Sequence, residues 1–310
     1  MSRLPNKTTF LTGGASGIGL AIASIFLSHG SNVFILDSSA ENIATAGAHL
    51  ASLFPPPSPS TSPPQFISPP PSAQSISNSP PRSDAQNSFH TSSKFLFKQG
   101  DAADSACLKD AIDECVEVFG GLDIVVLNAG VLPRVKGILE VSGEEWERVM
   151  KVNAFGPFIG IQLSARKMIE INEQNHNLET HPLPSPPTTT SNSNPTIGTI
   201  LLTCSTSGLR SRPGVSTYTM SKFAVRGLTI AAAQELGKFG IRVNAVCPGM
   251  VDTPLLRGAG LDSGRVGREG ALERFGTPEE VAKVFLFLAS EDASFVTGSL
   301  YRVDGGLVDS

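Results

Sequence analysis

The chain has 310 residues, 40% of them hydrophobic and 17% charged, with a formal net charge of −4. That balance disfavours nucleic acid or an anionic membrane surface as a partner, and the length suits one large domain or two small ones around a substantial core. Cys107, Cys115, Cys204 and Cys247 form no CxxC pair, and His29, His49, His90, His176 and His181 do not cluster with them, so no metal site is expected and the thiols read as buried and reduced.

Residues 1–10 lack the apolar core of a signal peptide, and no stretch approaches membrane-spanning length, so the expected location is the cytosol. Residues 7–12 are extended and β-branched, 13–19 form a glycine turn, and 18–29 carry apolar residues at helical spacing that Gly30 stops. A second buried strand, 32–37 (NVFILD), and a helix over about 40–53 follow. From 55 to 93 the chain is mostly Pro, Ser, Asn and Gln, which offers too little apolar area to offset ordering entropy, so disorder is predicted.

Strand 94–100, helix 104–119 and strand 122–127 (LDIVVL) come next. A long helix is predicted over about 143–173, with a local irregularity at Gly156-Pro157. A second polar segment, 175–195, is predicted to be disordered. Strand 199–203, helix 216–239, strand 241–246, helix 278–290 and strand 299–303 complete the chain.

Alternating helices and continuously apolar strands imply a doubly wound parallel sheet of about seven strands, covered on both faces. Each polar segment joins the end of a helix to the start of a strand, which places it away from the ligand crevice of such a sheet. Without both segments roughly 250 residues remain, the size of a single domain.

The run Thr12-Gly13-Gly14-Ala15-Ser16-Gly17-Ile18-Gly19 joins a strand to a helix. Glycines let such a turn form and let the backbone approach a pyrophosphate that faces the free N–H groups of the helix. Asp37 ends the next strand, where a carboxylate accepts from both ribose hydroxyls and repels a 2′-phosphate. No Arg or Lys lies in 38–42 and Ser16 is not basic, so NAD is favoured over NADP. Asp37 could also serve as a helix N-cap.

Tyr218 and Lys222 sit four residues apart on one helix face, where an ammonium is expected to lower the phenol pKa. Ser205 lies thirteen residues before Tyr218, at the C-terminal end of a strand where ligand-contacting groups gather.

In these motifs the chain resembles the shorter, single-domain short-chain dehydrogenase/reductase family, over nearly its whole length except the two polar segments. The glycine run matches TGxxxGxG, Asn128-Ala129-Gly130 matches NAG, Tyr218 and Lys222 match YxxxK, and Cys204-Ser205 with Gly208 matches the serine motif. Cys204 stands where the family often has Ser. Cys247-Pro248-Gly249 with Thr253 matches the PG motif beside nicotinamide.

The resemblance implies a Rossmann-type fold and a catalytic tetrad of Asn153, Ser205, Tyr218 and Lys222. In it Tyr218 exchanges the proton, Ser205 orients the substrate oxygen, Lys222 acidifies the phenol and holds the nicotinamide ribose, and Asn153 holds a water. The implied cofactor contacts are Gly13, Ser16, Gly17, Ile18, Gly19, Asp37, Asp101, Ala102, Asn128, Ala129, Gly130, Tyr218, Lys222, Pro248, Gly249, Val251 and Thr253. Asp101 falls where the family has an aspartate beside the adenine.

The expected activity is NAD-dependent interconversion of a secondary alcohol and a ketone, with oxidation favoured because cellular NAD pools are oxidised. An NADPH-dependent 3-oxoacyl-type ketoreductase and a non-catalytic nucleotide-binding scaffold are the alternatives. Residues 255–275 are expected to form a mobile, mainly apolar flap over a largely apolar small-molecule substrate. Trp146 is read as packing, and Arg210 and Arg212 as a solvated loop, with contact to an acidic substrate as the alternative. A homo-oligomer, dimer or tetramer, is implied through helices 143–173 and 216–239 and the C-terminal strand.

Overall fold

The computed structural model describes residues 2–55, 94–179, 196–261 and 270–307. Its centre is a seven-stranded parallel sheet, in the order β3-β2-β1-β4-β5-β6-β7. The strands are β1 Thr8–Thr12, β2 Asn32–Asp37, β3 Phe95–Gln99, β4 Ile124–Leu127, β5 Gly198–Thr203, β6 Ile241–Pro248 and β7 Leu300–Val303. β1, β4 and β6 are buried along their whole length, which explains their unbroken apolar character.

Alternate residues feed two cores. Phe10, Phe34, Leu36, Val125, Leu127, Ile200 and Leu202 point to one face. There they meet α3 (Ser105–Phe119), α5 (Gly156–Glu179) and α6 (Ser216–Leu236). Leu11, Val33, Ile35, Ile124, Val126 and Leu201 point to the other, under α1 (Gly17–Ser28), α2 (Ala40–Leu53) and α8 (Pro278–Ala289).

Local chemistry sets the helix ends. Ser39 caps α2, Asp104 caps α3 by accepting from Cys107 N–H, and Gly120 closes α3 in the left-handed region at φ 77°. α8 opens with Pro278 and a reciprocal Thr277–Glu280 capping box. Ser39, not Asp37, is therefore the N-cap of α2, which leaves the Asp37 carboxylate for other work.

The predicted long helix is three pieces: α4 (Gly143–Met150), a π-helical segment (Lys151–Phe155) and α5. The irregularity lies just before Gly156, and Pro157 gives a reason: it has no N–H for the carbonyl four residues earlier, that of Asn153. α5 continues to Glu179, so the start of the expected polar segment 175–195 is helical. The remainder of that segment, and nearly all of 55–93, lie outside the described residues.

Trp146 is 43% exposed, against the expectation of packing. Phe285 and Leu288 in α8 are core residues. Among the described residues no helix is long and apolar enough to cross a membrane, and no group of His, Cys, Asp and Glu could hold a metal.

Candidate active site

Strand order reverses between β1 and β4, and there a cavity of about 580 Å³ opens at the C-terminal ends of the strands. That volume falls within the range of small-molecule sites. Every residue expected to contact cofactor lines it: Gly13, Ser16, Gly17, Ile18, Gly19, Asp37, Asp101, Ala102, Asn128, Ala129, Gly130, Tyr218, Lys222, Pro248, Gly249, Val251 and Thr253. Ser205 lines it too, whereas Asn153 lies behind the wall, fully buried.

The glycine turn is locked by close packing. Gly13 has φ +64°, and a Cβ there would sit 2.8 Å from the Ala129 Cα. A Cβ on Gly19 would come within 2.7 Å of Asn128 Nδ2 and closer still to the Gly13 carbonyl oxygen. Asn128 ties the sheet together: Nδ2 donates to the Gly13 carbonyl (2.8 Å), and Oδ1 accepts from the Thr203 hydroxyl (2.9 Å). Thr12 Oγ1 accepts from the N–H groups of Asn128 and Ala129 (3.0 and 3.1 Å).

The N-terminus of α1 opens on the cavity with no side-chain cap at Ser16 and no acid in its first turn, which suits an anion. Asp37, buried at the end of β2, accepts from Ala15 N–H and Ser39 N–H (3.0 Å each) and still lines the cavity. Asp101 accepts from Ala103 N–H (2.9 Å), which shapes the turn that carries Ala102. These residues fit a dinucleotide: an open helix N-terminus for the pyrophosphate and an oriented carboxylate for a ribose.

Across the cavity, β5 delivers Ser205 and α6 delivers Tyr218 and Lys222. Lys222 Nζ donates to the Thr203 carbonyl (2.8 Å) and lies 5.5 Å from the Tyr218 ring centroid. Burial pushes the Lys222 ammonium below its usual pKa. Burial also pushes the Tyr218 phenol up, while its hydrogen bond with Ser205 acts in the opposite direction. Lys222 thus stands over the Tyr218 ring, while Ser205 hydrogen-bonds the phenol and favours its ionised form.

Asn153 Oδ1 accepts from Val131 N–H, and its Nδ2 donates to the Val131 carbonyl (both 2.8 Å) and to Ser221 Oγ (3.1 Å). A Cβ on Gly130 would be 3.4 Å from Asn153 Oδ1 and 3.7 Å from Lys222 Nζ, so the three meet at one point.

The substrate side is mainly apolar: Leu132, Val135, Val215, Met250, Leu255, Leu256 and Leu261 line it. Thr253 caps α7 (Pro254–Gly258), which carries Leu255 and Leu256. Much of the expected flap, including Arg265, Val266 and Arg268, lies outside the described residues. Sequence reasoning missed Val131, Met250 and Leu307 here, since lone apolar residues in turns carry no local signal. It also misjudged the loop before Tyr218. Arg212 is half-buried and lines the cavity, and Arg210 donates to the Leu307 carbonyl (2.5 Å). The thiols read as expected, free and buried, except that Cys107 is half-buried; burial pushes Cys115 up.

Residues 75–176 match the family model described as short chain dehydrogenase, and 188–308 match that described as Enoyl-(Acyl carrier protein) reductase. An L-2,3-butanediol dehydrogenase of Corynebacterium glutamicum is 35% identical over 69% of this chain and 79% of its own. A 3beta-hydroxysteroid dehydrogenase 2 of Eggerthella lenta is 30% identical over 98% of this chain and 95% of its own. The chain belongs to the short-chain dehydrogenase/reductase family. A solved short-chain type dehydrogenase/reductase from Mycobacterium marinum matches with a TM-score of 0.75 and 26% identity, covering 99% of this chain and 98% of that one. As a family member the protein is an oxidoreductase that acts on CH–OH groups with a nicotinamide dinucleotide, interconverting secondary alcohols and ketones.

Proposed function

We propose that this short-chain dehydrogenase oxidises a largely apolar secondary alcohol with NAD, using Tyr218 as general base. The carrying observation is that one cavity gathers Tyr218, Ser205 and Lys222 with the glycine turn and Asp37. Asp37 supports NAD over NADP: Ala15 and Ser39 N–H groups hold the carboxylate at the end of β2, and residues 38–42 contain no cation to neutralise a phosphate.

The oxidised cofactor, when bound, supplies the hydride acceptor. The chain supplies position and proton transfer. Ser205 hydrogen-bonds the substrate oxygen, and Tyr218 takes its proton. Lys222 holds the nicotinamide ribose. Asn153 holds the water assigned to link Lys222 with solvent. The turn from Gly13 to Gly19 holds the pyrophosphate, Asp101 and Ala102 border the adenine, and Asn128, Ala129, Gly130, Pro248, Gly249, Val251 and Thr253 border the nicotinamide half. The exposed side chains Phe155 and Phe158 on and beside α5, with Met220, Phe223 and Ile230 on α6, suit contact with a second copy of the chain.

The test follows cofactor reduction with NAD and NADP over cyclic, steroid, sugar and short-chain secondary alcohols. The expected result is turnover of an apolar alcohol with NAD preferred, lowered about 10²- to 10⁴-fold in Tyr218→Phe with cofactor binding retained. Tyr218→Phe turning over at the parent rate, or a preference for NADP, overturns the reading.

A further inference from the structure

Leu307 lies almost at the end of the chain yet is only 5% exposed, and it belongs to neither of the two cores that sandwich the sheet. It lines the cavity together with Leu255, Leu256 and Leu261. The turn that carries it, residues 304–307, follows β7, and it and the last residue of β7 are held from three sides. Gly249 N–H donates to the Val303 carbonyl (3.0 Å), and Leu272 N–H donates to the Gly305 carbonyl (2.9 Å). Arg210, from the loop between Ser205 and Tyr218, donates through Nη2 to the Leu307 carbonyl (2.5 Å) across 97 residues of sequence. Within the turn, Leu307 N–H donates to the Asp304 carbonyl (3.2 Å) and Gly306 N–H to Asp304 Oδ1 (3.1 Å).

We infer that Leu307 is a specificity-determining residue, forming the wall that limits the size of the apolar substituent on the carbinol carbon, and that Arg210 is the positioning residue that holds this wall. The inference rests on the dehydrogenase reading above. An apolar wall meets such a substituent by dispersion and by excluding water, and a leucine leaves less room than alanine by a volume that a branched or ring substituent can use. A guanidinium bonded to the Leu307 main-chain carbonyl fixes the backbone that carries the wall and brings no charge to the substrate. The same turn meets Gly249, so one short segment borders both the proposed nicotinamide side and the substrate side.

The experiment measures kcat and KM of the full chain for isopropanol, cyclohexanol and menthol, with NADH affinity followed by fluorescence titration. Leu307→Ala is expected to raise the menthol-to-isopropanol ratio of kcat/KM about tenfold, mainly through KM. Leu307→Trp is expected to move it the other way. Arg210→Ala moves the ratio in the same direction as Leu307→Ala, and Arg210→Lys, which keeps one donor, restores part of the parent preference. NADH affinity stays at the parent value throughout. If the parent turns over these alcohols and the ratio is unchanged in the NADH-binding Leu307 variants, this inference is overturned and the dehydrogenase reading stands. A parent inert toward every alcohol overturns the dehydrogenase reading and the inference with it.

Discussion

The two halves of the cavity are built in different ways. On the β1–β3 side the wall comes from short runs that leave the ends of three neighbouring strands, the glycine turn after β1, residues 36–39 and residues 100–102, held by backbone donors to Asp37 and by the close approach of Gly13 to Ala129. On the far side the wall comes from separate pieces: the segment after β4, the Ser205 loop, α7 and the C-terminal turn. Those pieces meet through contacts distant in sequence, such as Lys136 N–H to the Gly214 carbonyl (3.0 Å) and Arg210 to Leu307. In the proposed reading the first half holds the dinucleotide, for which backbone donors and close approach are the fitting chemistry. The second half can change its lining one loop at a time without disturbing the sheet, which fits the division of labour expected when a scaffold carries variable chemistry.

After Tyr218→Phe, Ser205→Ala should produce the next largest effect, and confine it to the substrate half. Loss of the hydrogen bond to the substrate oxygen lowers kcat/KM about 10²-fold, with NADH affinity unchanged. The pH profile adds a second readout. Oxidation requires an ionised Tyr218, so its rate climbs with pH until the phenol is titrated, and burial already sets that point above the usual tyrosine value. The Ser205 bond lowers it, so the alanine variant should climb at still higher pH. A stopped profile at the parent position would assign the phenol's proton affinity to another neighbour.

Gly19→Ala addresses the other half. The new methyl group meets the Gly13 carbonyl and Asn128, neither of which can retreat without opening the sheet network. We expect about 1–3 kcal/mol of lost stability, weaker NADH binding, and an unchanged order of preference among alcohols. Calorimetric melting together with cofactor titration measures both effects, and a reordered alcohol preference would show that the two halves are not separable.

Thr277→Ala lies outside both halves and should cost only stability, about 1 kcal/mol. Its partner in the capping box, Glu280, is held at about 2 by Arg274 and by the Thr277 backbone N–H. A depressed carboxylate contributes stability above its ordinary range and loses it as pH falls toward the folded value. Those bonds survive in Thr277→Ala, which keeps the backbone N–H, so parent and variant should both lose stability as pH falls from about 4.5 toward 2 while the gap between them holds. Denaturant midpoints across pH check this.

Gly13 through Gly19, Asp37 and the strand runs were legible because their signals are local: a turn that demands glycine, an acid at a strand end, apolar residues repeating with the pleat. The Tyr218–Lys222 spacing was legible for the same reason. Lys222's actual bond, to the Thr203 carbonyl, was not, because it depends on how α6 lies on β5. Nor was the exposure of Trp146, since an aromatic on an amphipathic helix reads the same whether its face is covered or bare.

By itself the sequence determined the parallel α/β sheet and the residues that can meet a dinucleotide, since periodicity and turn chemistry act over a few neighbouring residues. Tertiary structure decided that Ser205 meets the Tyr218 phenol, that the turn after β7 returns to the cavity as Leu307, and that Arg210 reaches across to bond its carbonyl. Those outcomes depend on burial and on partners remote in sequence, and both exist only once the layers have packed.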